Sequence, residues 1–173
     1  MRASGRIING LAVIAVLLLG SVAAAQSPKK NDYLGNIALC NGSDRTPLTA
    51  RIDGCTALIN SGQGTTTALA IAHNNRGNAL TAKGALDRPV LDFDQSIKLD
   101  PAYAKPFNNR GAAYLRKGEY DLALKAFDQA IRLNPNYARA FVNRAGVYLK
   151  KNEYDRAARD YDEAVRPDPD LDA

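Results

Sequence analysis

The sequence predicts an all-α solenoid of helix-turn-helix repeats closed at its N-terminal end by a degenerate capping helix. Three observations predict it. A period of 34 residues runs through the second half, where Asn75-Arg76-Gly77 returns as Asn109-Arg110-Gly111 and Asn143-Arg144-Ala145. Phe93, Phe127 and Tyr161 keep the same register, as do Ile97, Ile131 and Val165, and Pro101, Pro135 and Pro169. No stretch shows the alternating pattern of a strand. A unit of this length cannot bury its apolar face alone, so the copies must stack.

Residues 1–25 read as a secretory signal. Arg2 and Arg6 precede an apolar run from Leu11 to Leu19, and Ala23-Ala24-Ala25 offers small residues for cleavage. The alternative is a retained anchor, but the run is short of the roughly 20 apolar residues a spanning helix needs. The mature chain is therefore expected to be exported, periplasmic or secreted, with no membrane span. Removing the signal lowers the formal charge from +5 to about +3. That mild excess is spread along the chain and argues against a nucleic-acid partner.

Residues 26–65 form the predicted N-terminal cap. Tyr33, Leu34, Ile37 and Ala38 suit one or two helical turns over 32–39. Thr46-Pro47 reads as an N-cap followed by a first-turn proline. Leu48, Ile52, Cys55, Leu58 and Ile59 then share one helical face, and Gly62 ends it. With Cys55 and Ile59 in the places of Phe93 and Ile97, this helix resembles the second half of a repeat. Cys40 and Cys55 are the only cysteines. Their spacing is not that of a thiol oxidoreductase, and with the single His73 they cannot make a four-ligand zinc site. An even count in an oxidising compartment favours a disulfide, which over a loop of about 15 residues is worth roughly 3 kcal/mol. The alternative is two packed thiols.

Residues 66–173 hold three helix pairs, in units of about 70–103, 104–137 and 138–171. First helices are predicted over 66–82, 103–117 and 137–151, and second helices over 87–99, 120–133 and 154–166. Lys83-Gly84, Lys117-Gly118 and Lys151-Asn152 break each pair internally, and Asp100-Pro101, Asn134-Pro135 and Asp168-Pro169 break between pairs. Pro89 fits a first helical turn, with Asp87 as the expected N-cap.

From Ala70 to Leu171 the chain resembles three consecutive tetratricopeptide repeats. The second copy carries Phe107, Gly111, Tyr114, Ala123, Phe127, Ala130 and Pro135, and the third carries Phe141, Ala145, Tyr148, Ala157, Tyr161, Ala164 and Pro169. The first departs most, with His73, Leu80 and Pro89 at such slots. The exported, Cys-bearing N-terminal piece resembles, more loosely, small secreted repeat proteins of Gram-negative bacteria.

The resemblance implies a concave groove lined by the first helices. Asn75, Asn109 and Asn143 would form a row there, flanked by Asn74, Asn78, Lys105, Asn108, Arg116, Arg139 and Lys150. An asparagine amide offers a donor and an acceptor side by side, so it can pair with any peptide backbone; the alternative is that asparagine merely suits a polar wall. The family's two-carboxylate clamp for heat-shock chaperone tails matches at Asn78, Asn109 and Arg139, while Asn74 and Asn143 stand where the clamp has cations. That departure, together with export, argues against a chaperone partner and leaves a preference for acidic peptides.

Arg76, Arg110 and Arg144 repeat in register with Asp94, Asp128 and Asp162, which favours structural pairing over a cationic ladder for a ligand. His73 stands in the slot of Phe107 and Phe141 and reads as a packed residue. No nucleophile pattern, phosphate loop or metal-ligand cluster is present, so no enzymatic activity and no cofactor are expected. The leading functional reading is a scaffold that holds a peptide or protein segment. Its rival is a structural module that self-associates, most simply as a weak two-fold dimer through the last helix, since Pro167 and Pro169 leave no room for a capping helix.

Overall fold

A computed structural model of the chain describes residues 32–43 and 45–166. The signal at 1–25 and the proline-rich end at 167–173 lie outside the described residues. Among those described there are eight helices and no strand. They are α1 (Tyr33–Cys40), α2 (Leu48–Ser61), α3 (Thr66–Ala82), α4 (Asp87–Leu99), α5 (Ala104–Lys117), α6 (Tyr120–Leu133), α7 (Ala138–Lys150) and α8 (Tyr154–Val165).

The predicted punctuation governs the turns. Gly84, Gly118 and Asn152 occupy one slot of the repeat, and all three have positive φ, at 94°, 78° and 61°. Glycine reaches that region without strain, and asparagine is the side chain that tolerates it best. Two caps differ from expectation. Pro47 itself is the N-cap of α2, so Thr46 does not cap it, and Asp87 is the first residue of α4 rather than its cap. Pro89 still falls in the first turn, where no intrahelical partner for its nitrogen is lost. Thr65 caps α3 through its hydroxyl, which accepts from the Ala68 amide at 3.1 Å. Because of this, α3 begins a turn earlier than α5 and α7.

Each helix packs on the next in sequence. The first helices also touch one another, α1 on α3, α3 on α5 and α5 on α7, whereas α2, α4, α6 and α8 have no such mutual contact. A row that touches on one side and splays on the other must curve, so the first helices form the concave face. Within each pair the joint is set by a small residue against a ring. A Cβ on Gly77 would lie 2.6 Å from Phe93 Cε1, and one on Gly111 would lie 2.6 Å from Phe127 Cε1. Those rings are buried to 1% and 0% exposure.

At the N-terminal end Cys40 and Cys55 are joined in a disulfide, with Cα atoms 4.6 Å apart. Both are buried with Leu58 and Ala72, and Tyr33, Ile37 and Ile59 pack on them. The disulfide reading thus prevails over free thiols, and α2 covers the open side of α3 as its register predicts. No described helix is long and apolar enough to cross a membrane.

Candidate peptide-binding groove

The asparagines of the first helices form a single hydrogen-bonded line. Asn143 Nδ2 donates to Asn108 Oδ1 (2.8 Å), Asn108 Nδ2 to Asn109 Oδ1 (3.3 Å), and Asn109 Nδ2 to Asn74 Oδ1 (2.8 Å). Asn74 Nδ2 then donates to Asn75 Oδ1 (3.3 Å), and Asn75 Nδ2 to Asn41 Oδ1 (2.9 Å) and the Cys40 carbonyl (3.4 Å). Neighbouring first helices are thereby stitched amide to amide, from the third repeat to the N-terminal cap.

This changes what the row can offer. Asn74 and Asn108 are 3% and 1% exposed, so they lie mostly within the wall, each reaching only the edge of one hollow on this face. They are buried because two adjacent asparagines cannot both face the groove once the first helices touch. The buried member satisfies its amide against the next helix. Asn75, Asn109 and Asn143 stay half-buried at the surface, but the carbonyls of Asn75 and Asn109 already accept a bond. Their nitrogens are committed too: Asn75 Nδ2 donates twice, and Asn109 and Asn143 each donate once and keep one N–H for a ligand.

Two hollows run along this face. One, of about 430 Å³, is lined by Asn75, Asn78, Tyr103, Lys105, Asn109, Tyr137 and Arg139, with an edge of Asn74. The other, of about 300 Å³, takes in Asn78, Thr81, Asn109, Arg116, Arg139 and Asn143. Asn78, Asn109 and Arg139 belong to both, so the hollows form one continuous groove. No acid lines either among the described residues. Lys150 stands apart from both and is exposed near the end of α7.

Tyr103 and Tyr137 were missed by sequence reasoning. They sit at the N-caps of α5 and α7, just before the helices proper, and their signal was the repeated Pro-x-Tyr-Ala at 101–104 and 135–138. Burial raises the pKa of both phenols. The neighbouring Tyr137 and Asp100 push Tyr103 further up, while Arg139 works against the shift at Tyr137. Both therefore remain neutral hydroxyls that can donate or accept.

The arginine row belongs to the scaffold, and of the expected acids Asp94 and Asp128 hold an arginine while Asp162, among the described residues, does not. Arg76 does not meet Asp94; it grips Asp92 through Nε and Nη2, at 2.9 and 2.6 Å. His73 Nδ1 lies 3.0 Å from the same carboxylate. Burial alone would raise the Asp92 pKa, but the hydrogen bonds from His73 and Arg76 outweigh it and hold the group below the ordinary carboxylate range. Arg110 reaches back to Asp94 of the preceding pair (2.6 Å). Arg144 does both, with Asp160 at 2.7 Å in its own pair and Asp128 at 2.6 Å in the preceding one. Asp162 meets no arginine among the described residues. Arg110 has Ala126 where the others have Asp92 and Asp160, and its buried Nε is left without a partner.

No cluster of three or more metal-ligating side chains occurs among the described residues. The groove can therefore offer donors, cations and two phenols.

By sequence, no curated protein matches the chain. Two family profiles do: one described as tetratricopeptide repeat over residues 108–172, and one as TPR repeat over 77–118. Together they span more than half of the chain. Among solved structures it is similar to the second tetratricopeptide domain of Spaghetti (RPAP3) bound to the HSP90 peptide SRMEEVD. That match has 30% identity and a TM-score of 0.54, covering 56% of this chain and 89% of the other. It is also similar to the TPR2B domain of yeast Sti1 in a complex with pHsp70, at 26% identity and a TM-score of 0.54, covering 55% and 76%. MamA shares the fold at 23% identity and a TM-score of 0.60, covering 68% and 67%. The chain belongs to the tetratricopeptide repeat family.

Proposed function

We propose that this protein is a non-enzymatic interaction scaffold whose concave face holds an extended, carboxylate-bearing peptide in an exported compartment. The observation that carries the reading is the convergence of Asn78, Asn109 and Arg139 on both hollows, with Lys105 and Arg116 beside them and no acid in the lining. A donor-rich wall with three cations suits a ligand rich in acceptors. Two similar domains were solved with chaperone peptides or segments, and the Spaghetti ligand ends in acidic residues, which supports a peptide in this groove. The departures at Asn74 and Asn143, together with export, still weigh against a chaperone as the partner. The order of charged, apolar and small residues in 1–25 and the Cys40–Cys55 bridge support export.

The test is a titration of the acidic peptide SRMEEVD and a neutral counterpart into wild type and an Arg139→Ala/Lys105→Ala variant. Wild type should prefer the acidic peptide, and the preference should shrink in the variant and at high salt. Equal binding by both proteins would move the site off the groove. A second reading is weak self-association through α8, which the exposure of Tyr161 (39%) and Val165 (79%) favours. Sedimentation over a wide concentration range separates it.

A further inference from the structure

The joints between repeats follow one rule that the last repeat leaves incomplete. Each first helix presents a single face to the second helix before it, carrying a small residue, an arginine four later, another small residue three later and a lysine four beyond that. In α5 these are Pro106, Arg110, Ala113 and Lys117; in α7 they are Ala140, Arg144, Val147 and Lys151, with the lysine at the cap. The small residues are buried. The cations land on two acids of the preceding second helix. Arg110 meets Asp94 and Lys117 meets Asp87 at 3.0 Å; Arg144 meets Asp128 and Lys151 meets Asp121 at 2.8 Å. At the capped end α3 repeats the face with Ala72, Arg76, Ala79 and Lys83, and Arg76 Nη1 reaches Thr56 Oγ1 at 3.3 Å.

The same surface recurs on α8, and none of the described helices lies against it. Asp155 and Asp162 stand in the slots of Asp121 and Asp128, and both are exposed without a partner cation among the described residues. Along the same face Ala158, Tyr161 and Val165 take the places of Leu124, Phe127 and Ile131, which pack with Val147 and Ala140 of α7. Arg156 and Arg159 border a hollow together with Asp155 but form no ion pair with either aspartate among the described residues. Their counterparts Leu122 and Lys125 are exposed even where a repeat follows, so those slots lie outside the joint. Arg166, the residue after α8, is taken by Glu163, and Asp168, Asp170 and Asp172 follow it in the sequence.

We propose that this edge is a docking site for a basic amphipathic helix of another polypeptide, which seats an arginine on Asp162 and a lysine seven residues later on Asp155. The charge pattern selects that occupant over a second copy of this chain. A two-fold pairing of α8 centred on Ala158 sets Asp155 against Asp162 of the other molecule, and like charges in register oppose docking. Head-to-tail stacking presents α1, which carries no lysine or arginine. The three helices of this chain that do carry the face are already used inside it.

The probe is a peptide of residues 137–152, the chain's own α7 with its flanks, stapled on the face away from Arg144 because so short a helix is marginal alone. Titrated into the full chain, it should perturb α8, and Asp155→Lys/Asp162→Lys should weaken it about tenfold or more. A peptide with Arg144→Glu and Lys151→Glu should regain binding to that variant. Arg139→Ala should leave the interaction unchanged, so that groove and edge fail separately. Equal binding by wild type and the reversed variant, no binding, or perturbation confined to α6 or the groove overturns the proposal. So does self-association that survives the charge reversal, since the occupant is then a second copy.

Discussion

The two ends of this solenoid are built from the same kind of helix and treated oppositely. At the N-terminal end α2 lies over α3, the Cys40–Cys55 bridge ties α1 to it, and the ring of the first repeat, Phe93, is sealed. At the C-terminal end α8 carries Tyr161 in the slot of Phe93 and Phe127 and leaves it 39% exposed. The difference teaches that burial here is a property of the joint and not of the slot: the same position is core when a neighbour follows and surface when none does. It also accounts for the side chains. A tyrosine keeps its hydroxyl in water, and Ala145 can replace the glycine of Gly77 and Gly111 because the ring opposite is not confined on both sides.

The largest expected effect tests that contrast directly. Phe127→Ala should destabilise by about 4 kcal/mol, the cost of a cavity at a sealed site, whereas Tyr161→Ala should cost below about 1 kcal/mol. Comparable losses in chemical denaturation would erase the distinction between the ends. Next, Cys40→Ala/Cys55→Ala should cost about 3 kcal/mol through the freed loop. Hydrogen exchange should then show α1 and α2 opening first, with α5 to α8 little changed. A uniform loss of protection would mean the cap is not a separate unit.

Asp92→Ala should be of similar size, about 3 kcal/mol, since it strands the Arg76 guanidinium and leaves His73 unpaired. The native carboxylate also carries a pH dependence. Its folded pKa is depressed, so its stabilisation is complete above the unfolded value of about 3.9 and disappears as pH falls through the folded one. Asp92→Asn should flatten that acid limb; an unchanged limb would show the pair to be silent. A smaller effect is expected for Gly111→Ala, destabilising by about 1–2 kcal/mol as the methyl meets the Phe127 ring. Smallest, Ala126→Asp should supply the carboxylate that Arg110 lacks and raise stability by about 1 kcal/mol. A loss there would show that the slot no longer accommodates an acid.

Much of the fold was legible because it is local and periodic. The helix bounds of α3 to α8 follow from apolar spacing, from Gly84, Gly118 and Asn152 at one turn, and from the prolines between units. The register of α2 was legible from Cys55 and Ile59. The site was legible only in part. Asn78, Asn109, Arg116 and Arg139 line the groove as their slots imply, but Asn74 and Asn108 are one residue away from surface neighbours and are buried. Which of two adjacent asparagines turns inward depends on how closely one first helix approaches the next, and helical spacing carries no information on that distance.

The sequence by itself determined the number of helix pairs, their turns, the recurrence of the amides and that of Arg with Asp, because each of these repeats every 34 residues. Only the tertiary structure decided which acid each arginine takes. Arg76 turns to Asp92 within its pair, Arg110 back to Asp94, and Arg144 to both Asp160 and Asp128. The two acid slots lie equally far along the chain from the arginine, on the helices to either side of it. Asn60 and Ala126 leave Arg76 and Arg110 with one such acid each, while Arg144 has two, and only the three-dimensional stack shows that both slots lie within an arginine's reach.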